Sequence, residues 1–422
     1  MTVESRRVAP RPRAAIFISY RQSDGSTAAT HLAWSLRSLG LPVWHDKTDL
    51  PPGDTIRVIS QALASGLSGA VLVVSDEIIH SSVVKNVEWP RIRQLSEDGH
   101  FTLGVLNAVR HPHRNVYAEP DRLLRRFSDR VLGRYRQHLS GLKQYRSSPE
   151  NEQSDQLAAD MLRQRLHHLD QPIRATGYVE VSLATRAEPT AEYAEVADLT
   201  FCWDRVEGRD ASTTAQKIFQ RTFHLAAAAL RQHTVGRVRF SGQAHLSFGL
   251  AIGASLTLGP AVEFANEDGV WSASSHRTAS AAPLIEVSKT PRASTGPVLI
   301  YMDLLAPLSR GAYDALARGG GWSELVHIRR TDQDTRISSA QGAQLAHEIA
   351  AEIRSASARN RNAQVHLLLY APLPVVLLVG TLLNTLDVVA YEWDRGGDGV
   401  PANYSPKFRL RPGELNAVSL PS

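Results

Sequence analysis

"RVRFSGQAHLSFGLAIGASLTLGPAVEF" (237–264) aligns without a gap over "QVHLLLYAPLPVVLLVGTLLNTLDVVAY" (364–391), at an offset of 127 residues. Val238 meets Val365, Ala244 meets Ala371, Leu250 meets Leu377, Gly253 meets Gly380, Leu256 meets Leu383 and Val262 meets Val389. Each copy reads as a strand, a turn, a short helix with a glycine inside it, and a second strand. The pairing also decides how to read Leu367 to Leu386, which carry no formal charge over 20 residues and meet the length of a membrane span. Pro372 and Pro374 interrupt any spanning helix there, and the first copy places Gln243 and His245 in the corresponding segment. A buried strand and a buried helix therefore replace the membrane reading.

The duplication extends outward from these segments. "GYVEVSLAT" at 177 corresponds in type to "PVLIYMDLL" at 297, and "DLTFCWD" at 198 to "ELVHIRR" at 324. The amphipathic stretches "TTAQKIFQRTFHLAAAALRQH" and "AQGAQLAHEIAAEIRSASA" follow. Each half, about 177–290 and 297–420, thus runs strand, strand, helix, strand, helix, strand, which implies a largely parallel sheet covered by helices and used twice. Ligands of such sheets bind beyond the carboxyl ends of the strands. Gly253 and Gly380 each weaken a helix by about 1 kcal/mol relative to alanine. Close packing of each helix on a strand is the expected compensation.

These paired segments, with the closing "VVAYEWD" and "YSPKFRL", resemble the SAVED domain. That domain is a fused pair of CARF-like, Rossmann-related halves that senses cyclic oligonucleotides in bacterial CBASS antiphage defence. The resemblance spans roughly residues 175 to 420 and assigns 173–422 to a sensor. The aligned halves have diverged, with Gly242, Gln243 and His245 opposite Leu369, Tyr370 and Pro372. An asymmetric pocket no longer excludes a three-membered ring, and a cyclic tri-adenylate is the expected activator. Tyr370 and Trp393 are the candidates for base stacking, Lys407 and Arg409 for phosphate contact.

Residues 14 to 107 alternate strand and helix with different landmarks. "AAIFISY" is a strand, and "DGSTAATHLAWSLRSLG" is a helix expected to be capped by Asp24 or Ser26 and stopped at Gly40. "LPVWHD", "GAVLVVS" and "FTLGVLN" are further strands, giving a flavodoxin-like α/β sheet. The ordered set "FISYRQSD" at 17, "VWHD" at 43, "DLPPGD" at 49, "VVS" at 73 and Ser82 followed by Glu88 resembles a TIR domain, expected over 14–146. Val84 stands where that family usually has tryptophan, and Pro90 is expected to kink or end the helix just after Glu88.

The TIR resemblance implies NAD cleavage, with Glu88 as the catalytic glutamate and NAD as substrate rather than cofactor. Ordinary glycosidases need a second carboxyl to protonate the leaving group. Nicotinamide is already cationic in NAD and departs neutral, so one carboxylate suffices to bind ribose hydroxyls and stabilise oxocarbenium-like charge. Ser19, Arg21, Trp44, Asp46 and Ser82 are the candidates for NAD contact, with Asp24 beside them and Trp44 suited to stacking on a base. The loop "KTDLPPGDTIR" resembles the family's BB loop, which packs on a neighbouring TIR domain, so ligand-induced self-association into an oligomer or filament is expected. A non-catalytic TIR scaffold and a C-terminal nucleotide-processing enzyme are the alternatives.

Composition bounds the remainder. The 422 residues, 43 % of them hydrophobic, suffice for two or three cores. Cys202 is the single cysteine, which excludes an intramolecular disulfide framework, and a cytoplasmic location is expected. Residues 1–13 read as a disordered basic tail and 147–172 as a linker with a connecting helix. The arginine-rich stretch 110–146 reads as a helix with a solvated basic face, and no DNA partner or membrane is expected. There is no hydride-cofactor glycine fingerprint, no phosphate loop and no zinc spacing, so no cofactor or metal is expected.

Overall fold

The structure is a computed structural model that describes residues 9–50, 54–113, 115–125, 139–148, 152–186, 195–202, 213–233, 235–257, 259–274, 282–305, 310–332, 336–395, 401–411, 413 and 418–419. Most of the basic tail and much of the basic stretch after residue 125 lie outside the described residues, as does the tip of the 47–57 loop. The chain forms two compact units, one from 1–176 with 187–229 and one from 177–186 with 230–422.

The first unit begins with β1 (Ile16–Ser19), α1 (Gln22–Ser38), β2 (Val43–Trp44), α2 (Asp46–Asp49), α3 (Thr55–Ala64) and β3 (Gly69–Val74). It continues through α4 (Trp89–Leu95), β4 (Thr102–Asn107), α5 (Glu119–Arg125) and β5 (Gln144–Arg146). The strands are all parallel in the order β2-β1-β3-β4-β5, the flavodoxin-like arrangement. Every residue of β1 and β3 is buried, as a sheet covered on both faces requires of strands built from unbroken apolar runs.

Two details differ from expectation. α1 starts at Gln22, after an extended Arg21, so Asp24 lies in its first turn rather than at its cap. The Asp24 carboxylate instead accepts from Ser75 Oγ at 2.9 Å and from the Glu77 amide at 3.0 Å, and so is drawn toward the loop after β3. The helix carrying Glu88 also does not stop at Pro90. Residues Val84–Glu88 form a π-turn in which the Trp89 amide donates to the Val84 carbonyl, and α4 follows with Pro90 in its first turn. The wider turn accommodates a residue that has no amide hydrogen and whose ring crowds the preceding turn.

Helices α6 (Glu152–His168) and α7 (Asp170–Thr176) lead to β6 (Val179–Ala184) of the second unit. The chain then re-enters the first unit with β7 (Leu199–Cys202) and most of α8 (Thr213–Gln232). Arg165, on α6, is buried and donates to the carbonyls of Arg13 at 2.5 Å, Ala14 at 2.8 Å and Asp198 at 2.7 Å. Gly40, at φ 78°, ends α1 where a Cβ would come within 3.1 Å of Leu199, and its carbonyl accepts from the Thr200 amide at 2.7 Å. Ser38 and Thr222 share a buried hydrogen bond of 2.6 Å.

The second unit holds the duplication. In its first half β6, β8 (Arg237–Gln243) and β9 (Ala261–Asn266) run parallel, α9 (Leu246–Ser255) follows β8, and β10 (Gly269–Ser272) turns back on β9. The second half contains β11 (Ile285–Pro291), β12 (Val298–Asp303), α10 (Arg310–Arg318), β13 (Glu324–Arg330), α11 (Gly342–Arg359) and β14 (Val365–Tyr370). It closes with α12 (Leu373–Gly380), β15 (Val388–Asp394), β16 (Asn403–Leu410) and β17 (Val418–Ser419), in the sheet order β11-β13-β12-β14-β15-β16-β17. Strands β13, β12, β14 and β15 are mutually parallel, and β11 and β16 are antiparallel additions.

The paired glycines correct a second expectation, because they serve helix-to-helix packing instead of helix-to-strand packing. A Cβ on Gly253 of α9 would lie 2.1 Å from the Leu377 carbonyl oxygen and 3.1 Å from the Gly380 Cα. A Cβ on Gly380 of α12 would lie 2.4 Å from the Leu250 carbonyl oxygen and 3.2 Å from the Gly253 Cα. The two copies of the repeat therefore meet through the same residue of each, backbone against backbone.

Candidate functional site

In the first unit the site is built where β1 ends. Ser19, fully buried, donates its hydroxyl to Glu88 Oε2 at 2.6 Å, and Glu88 is 6 % exposed. Burial pushes the Glu88 carboxyl up to about 7; the Ser19 hydrogen bond opposes that rise, and the negative charge of Asp46 adds to it. Tyr20 Oη donates to Asp46 Oδ1, and Gln22 Nε2 donates to Asp46 Oδ2 at 2.7 Å. Burial, with help from Asp46, holds the Tyr20 phenol far above its ordinary range. The His45 imidazole is pushed down to about 4, chiefly by burial.

Ser19 at the end of β1, Gln22 at the start of α1, Asp46 at the start of α2 and Glu88 on the π-turn are thus linked through two carboxylates, those of Glu88 and Asp46. Of the residues singled out in the sequence, Ser19, Asp46 and Glu88 lie together. Arg21 is turned to Asp24, 3.4 Å away. Trp44 is buried with its ring stacked on Phe17 at 4.8 Å, because the β1–β2 register sets Phe17 opposite Trp44; the face expected to receive a base is occupied. Ser82 is exposed in the first turn of the Glu88 helix, whereas its neighbour Ser81 accepts from the Val84 amide at 3.2 Å.

Asp49 and Asp54 flank the loop as structural residues. Asp49 accepts from the His45 amide at 3.0 Å and lies 3.8 Å from the buried Arg37, and Asp54 caps α3 by accepting from the Arg57 amide at 3.2 Å. Tyr20 and Gln22, which fix Asp46, were not singled out in the sequence. Their signal was their place in "FISYRQSD", directly after the strand whose end holds Ser19.

In the second unit Tyr370 and Trp393 end β14 and β15 on one face of the sheet, both half-buried and packed against the aromatic cluster of Tyr301, Tyr313, Tyr391 and Tyr404. Lys407 is half-buried near the middle of β16. Arg409 does not join them. It forks onto Asp387 at 2.9 and 2.7 Å, opposite Val389 at the amino end of β15, because β16 runs antiparallel and carries its later residues away from the carboxyl ends of β14 and β15.

The halves are asymmetric at their helix starts. Thr185 Oγ1 accepts from the His245 amide at 2.9 Å, and the Ser247 amide and hydroxyl both donate to Glu392 Oε2, at 2.9 and 2.8 Å. Pro374 occupies the position equivalent to Ser247 and has no amide hydrogen to offer. Among the described residues no cluster of three His, Cys, Asp or Glu could hold a metal, and no helix is long and apolar enough to cross a membrane.

Residues 16–128 match the TIR domain family, and residues 219–410 match SAVED, described as the SMODS-associated and fused to various effectors sensor domain. Among solved structures, the Acinetobacter baumannii Cap4 SAVED/CARF-domain containing receptor with the cyclic trinucleotide 2′3′3′-cAAA is 10 % identical, with 93 % of this chain and 99 % of that chain covered and a TM-score of 0.46. The same receptor with 3′3′3′-cAAA gives 9 % identity, 92 % and 98 % coverage and 0.45. The Moraxella osloensis Cap4 SAVED/CARF-domain containing receptor gives 9 %, 92 %, 99 % and 0.42. No curated protein matches the chain. With a parallel flavodoxin-like sheet ahead of two fused halves of one repeat, the chain is a TIR–SAVED protein, a TIR domain followed by a SAVED sensor domain.

Proposed function

We propose that the protein is a cyclic-oligonucleotide-activated NAD glycohydrolase that acts in the cytoplasm, self-associates when the sensor is occupied and depletes NAD in antiphage defence. The observation that carries this reading is Glu88, a carboxylate withdrawn from water and aimed by Ser19 at the end of a parallel strand. In such a site the bond between ribose C1′ and the nicotinamide nitrogen breaks, its electron pair leaves with the nitrogen, and nicotinamide departs neutral. Positive charge then develops on the ribose, where a desolvated anion acts more strongly than it does in water. Water adds to C1′ and its proton passes to solvent, which discharges the ribose cation and leaves the carboxylate as it began. Ser19 acts here as a positioning residue, since its hydroxyl is spent on Glu88 and is fully buried.

The sensor half of the reading rests on the SAVED match and on the unequal helix starts, which suit an asymmetric pocket within a single chain and leave a three-membered ring such as cyclic tri-adenylate open as the activator. The test is nicotinamide release from NAD by purified protein with a panel of cyclic oligonucleotides. Glu88→Gln, which removes the charge and little volume, is expected to abolish release while ring binding persists. Cleavage at the wild-type rate by folded Glu88→Gln protein would overturn the catalytic assignment.

A further inference from the structure

Five strands of the second sheet set one row of side chains at their ligand-facing ends. Arg329 of β13 is opposite Asp303 of β12, and Asp303 is opposite Tyr370 of β14. Trp393 of β15 lies two residues beyond Tyr391, the partner of Leu368 on β14, and is opposite Tyr404 of β16. Alternation along the strands puts all five on the face that carries Tyr301 and Tyr391. Arg329, Tyr370 and Trp393 are partly exposed; Asp303, between them, is 6 % exposed.

The hydrogen bonding around Asp303 is incomplete. His327 Nε2 lies 2.9 Å from Asp303 Oδ2, an acceptor, so that nitrogen carries the proton. His327 Nδ1 is then free to accept from Arg329 Nη2 at 3.2 Å, and the 3.3 Å approach of Arg329 Nε to Nε2 sets two donors together and is no hydrogen bond. Among the described residues Oδ1 of the same carboxyl has no partner, and neither does the indole nitrogen of Trp393. The His327 ring is itself held by stacking on Tyr301 at 5.1 Å. A buried carboxylate oxygen without a donor is an exception in a folded protein, and a ligand amine is one group able to satisfy it.

We infer that this row is a base subsite of the sensor, in which Tyr370 stacks on a nucleobase and Asp303 Oδ1 accepts from the base's exocyclic amine. The inference rests on the cyclic-oligonucleotide reading and deepens it, because it fixes the chemical class of base: one with an amino group, as in adenine, and not one with a carbonyl in that place, as in hypoxanthine. A carbonyl would face the carboxylate oxygen acceptor to acceptor, with no proton between them. Discrimination of this kind is large when a buried polar group would otherwise be left unpaired.

Calorimetry of the full chain against cyclic tri-adenylate and cyclic tri-inosinate tests it, since the two rings differ at the purine 6-position. Wild-type protein is expected to bind the amine ring roughly tenfold to a hundredfold more tightly. Asp303→Asn, whose amide can donate to a carbonyl, is expected to narrow or reverse that preference. Asp303→Ser, smaller and without the carboxylate, makes the same comparison if the asparagine variant does not fold. Equal affinities in the wild type, or an unchanged preference in a folded Asp303 variant, would overturn the inference and leave the sensor reading standing. Failure of the wild type to bind either ring or any other cyclic oligonucleotide would overturn both.

Discussion

In the proposed reaction Glu88 acts as a carboxylate, yet burial pushes its pKa up to about 7. NAD cleavage should therefore rise with pH and level off above a midpoint near 7. The Ser19 hydrogen bond favours the charged form, so Ser19→Ala should move that midpoint upward by about one unit. A pH–rate profile under single-turnover conditions checks both, and an unmoved midpoint in Ser19→Ala would remove Ser19 from its positioning role. Stability carries the opposite sign. The folded state holds the Glu88 proton more tightly than the unfolded chain does, so this group leaves stability unaffected below about 4.5, lowers it as pH rises toward 7, and adds nothing further above that. Denaturation of Glu88→Gln and wild type at pH 5 and pH 8 should show the variant gaining up to roughly 3 kcal/mol at the higher pH. Glu88 was legible in the sequence through its distance from Ser82 and the surrounding landmarks. The burial of Trp44 was not, because it follows from the register of β1 on β2, which sets Phe17 against it. Asp303 escaped notice for a similar reason: one acid in "PVLIYMDLL" says nothing about which of its oxygens finds a donor.

The repeat was readable at the scale of elements because two ungapped segments preserve their apolar positions, and β8–α9–β9 and β14–α12–β15 fall where the alignment places them. What each glycine touches was not readable, since helix-on-strand and helix-on-helix contact demand the same small residue. The contact predicts that Gly253→Ala and Gly380→Ala each destabilise the sensor by about 3 kcal/mol, because neither neighbour is a side chain able to turn aside. Chemical denaturation checks this, and a loss below about 0.5 kcal/mol would mean that the helices can separate freely. The double variant should lose less than the sum of the singles, as both methyl groups press on one contact. Pro90 teaches the converse lesson. Its chemistry promised a kink or an end, and the chain answered with a wider turn that keeps Glu88 and α4 on one continuous segment.

For the molecule as a whole, proposed self-association makes activity depend on protein concentration. Ligand-bound protein should gain specific activity steeply with concentration, and dilution should abolish it while the ring stays bound. Asp49 and Asp54 are poor probes of that contact, since each secures local structure. Ile56, 53 % exposed beside the loop, is a cleaner one. Ile56→Asp should leave ring affinity and thermal stability near wild type and reduce ligand-dependent NAD cleavage at least tenfold. Sedimentation alongside the activity assay checks it, and full cleavage by demonstrably monomeric protein would contradict the assembly.

The path of the chain passes from the first compact unit to the second and back before returning to the second, three crossings in all. SAVED sensors are described as fused to various effectors, which invites a picture of parts exchanged at a single joint. Here one joint is not enough. A cut near residue 173 would part Leu199 and Phe201 from Gly40, against which they pack, and Thr222 from Ser38, with which it shares a buried hydrogen bond. A hybrid made in the laboratory should therefore keep β7 and α8 in one piece with α1 and α6, whose unit they share.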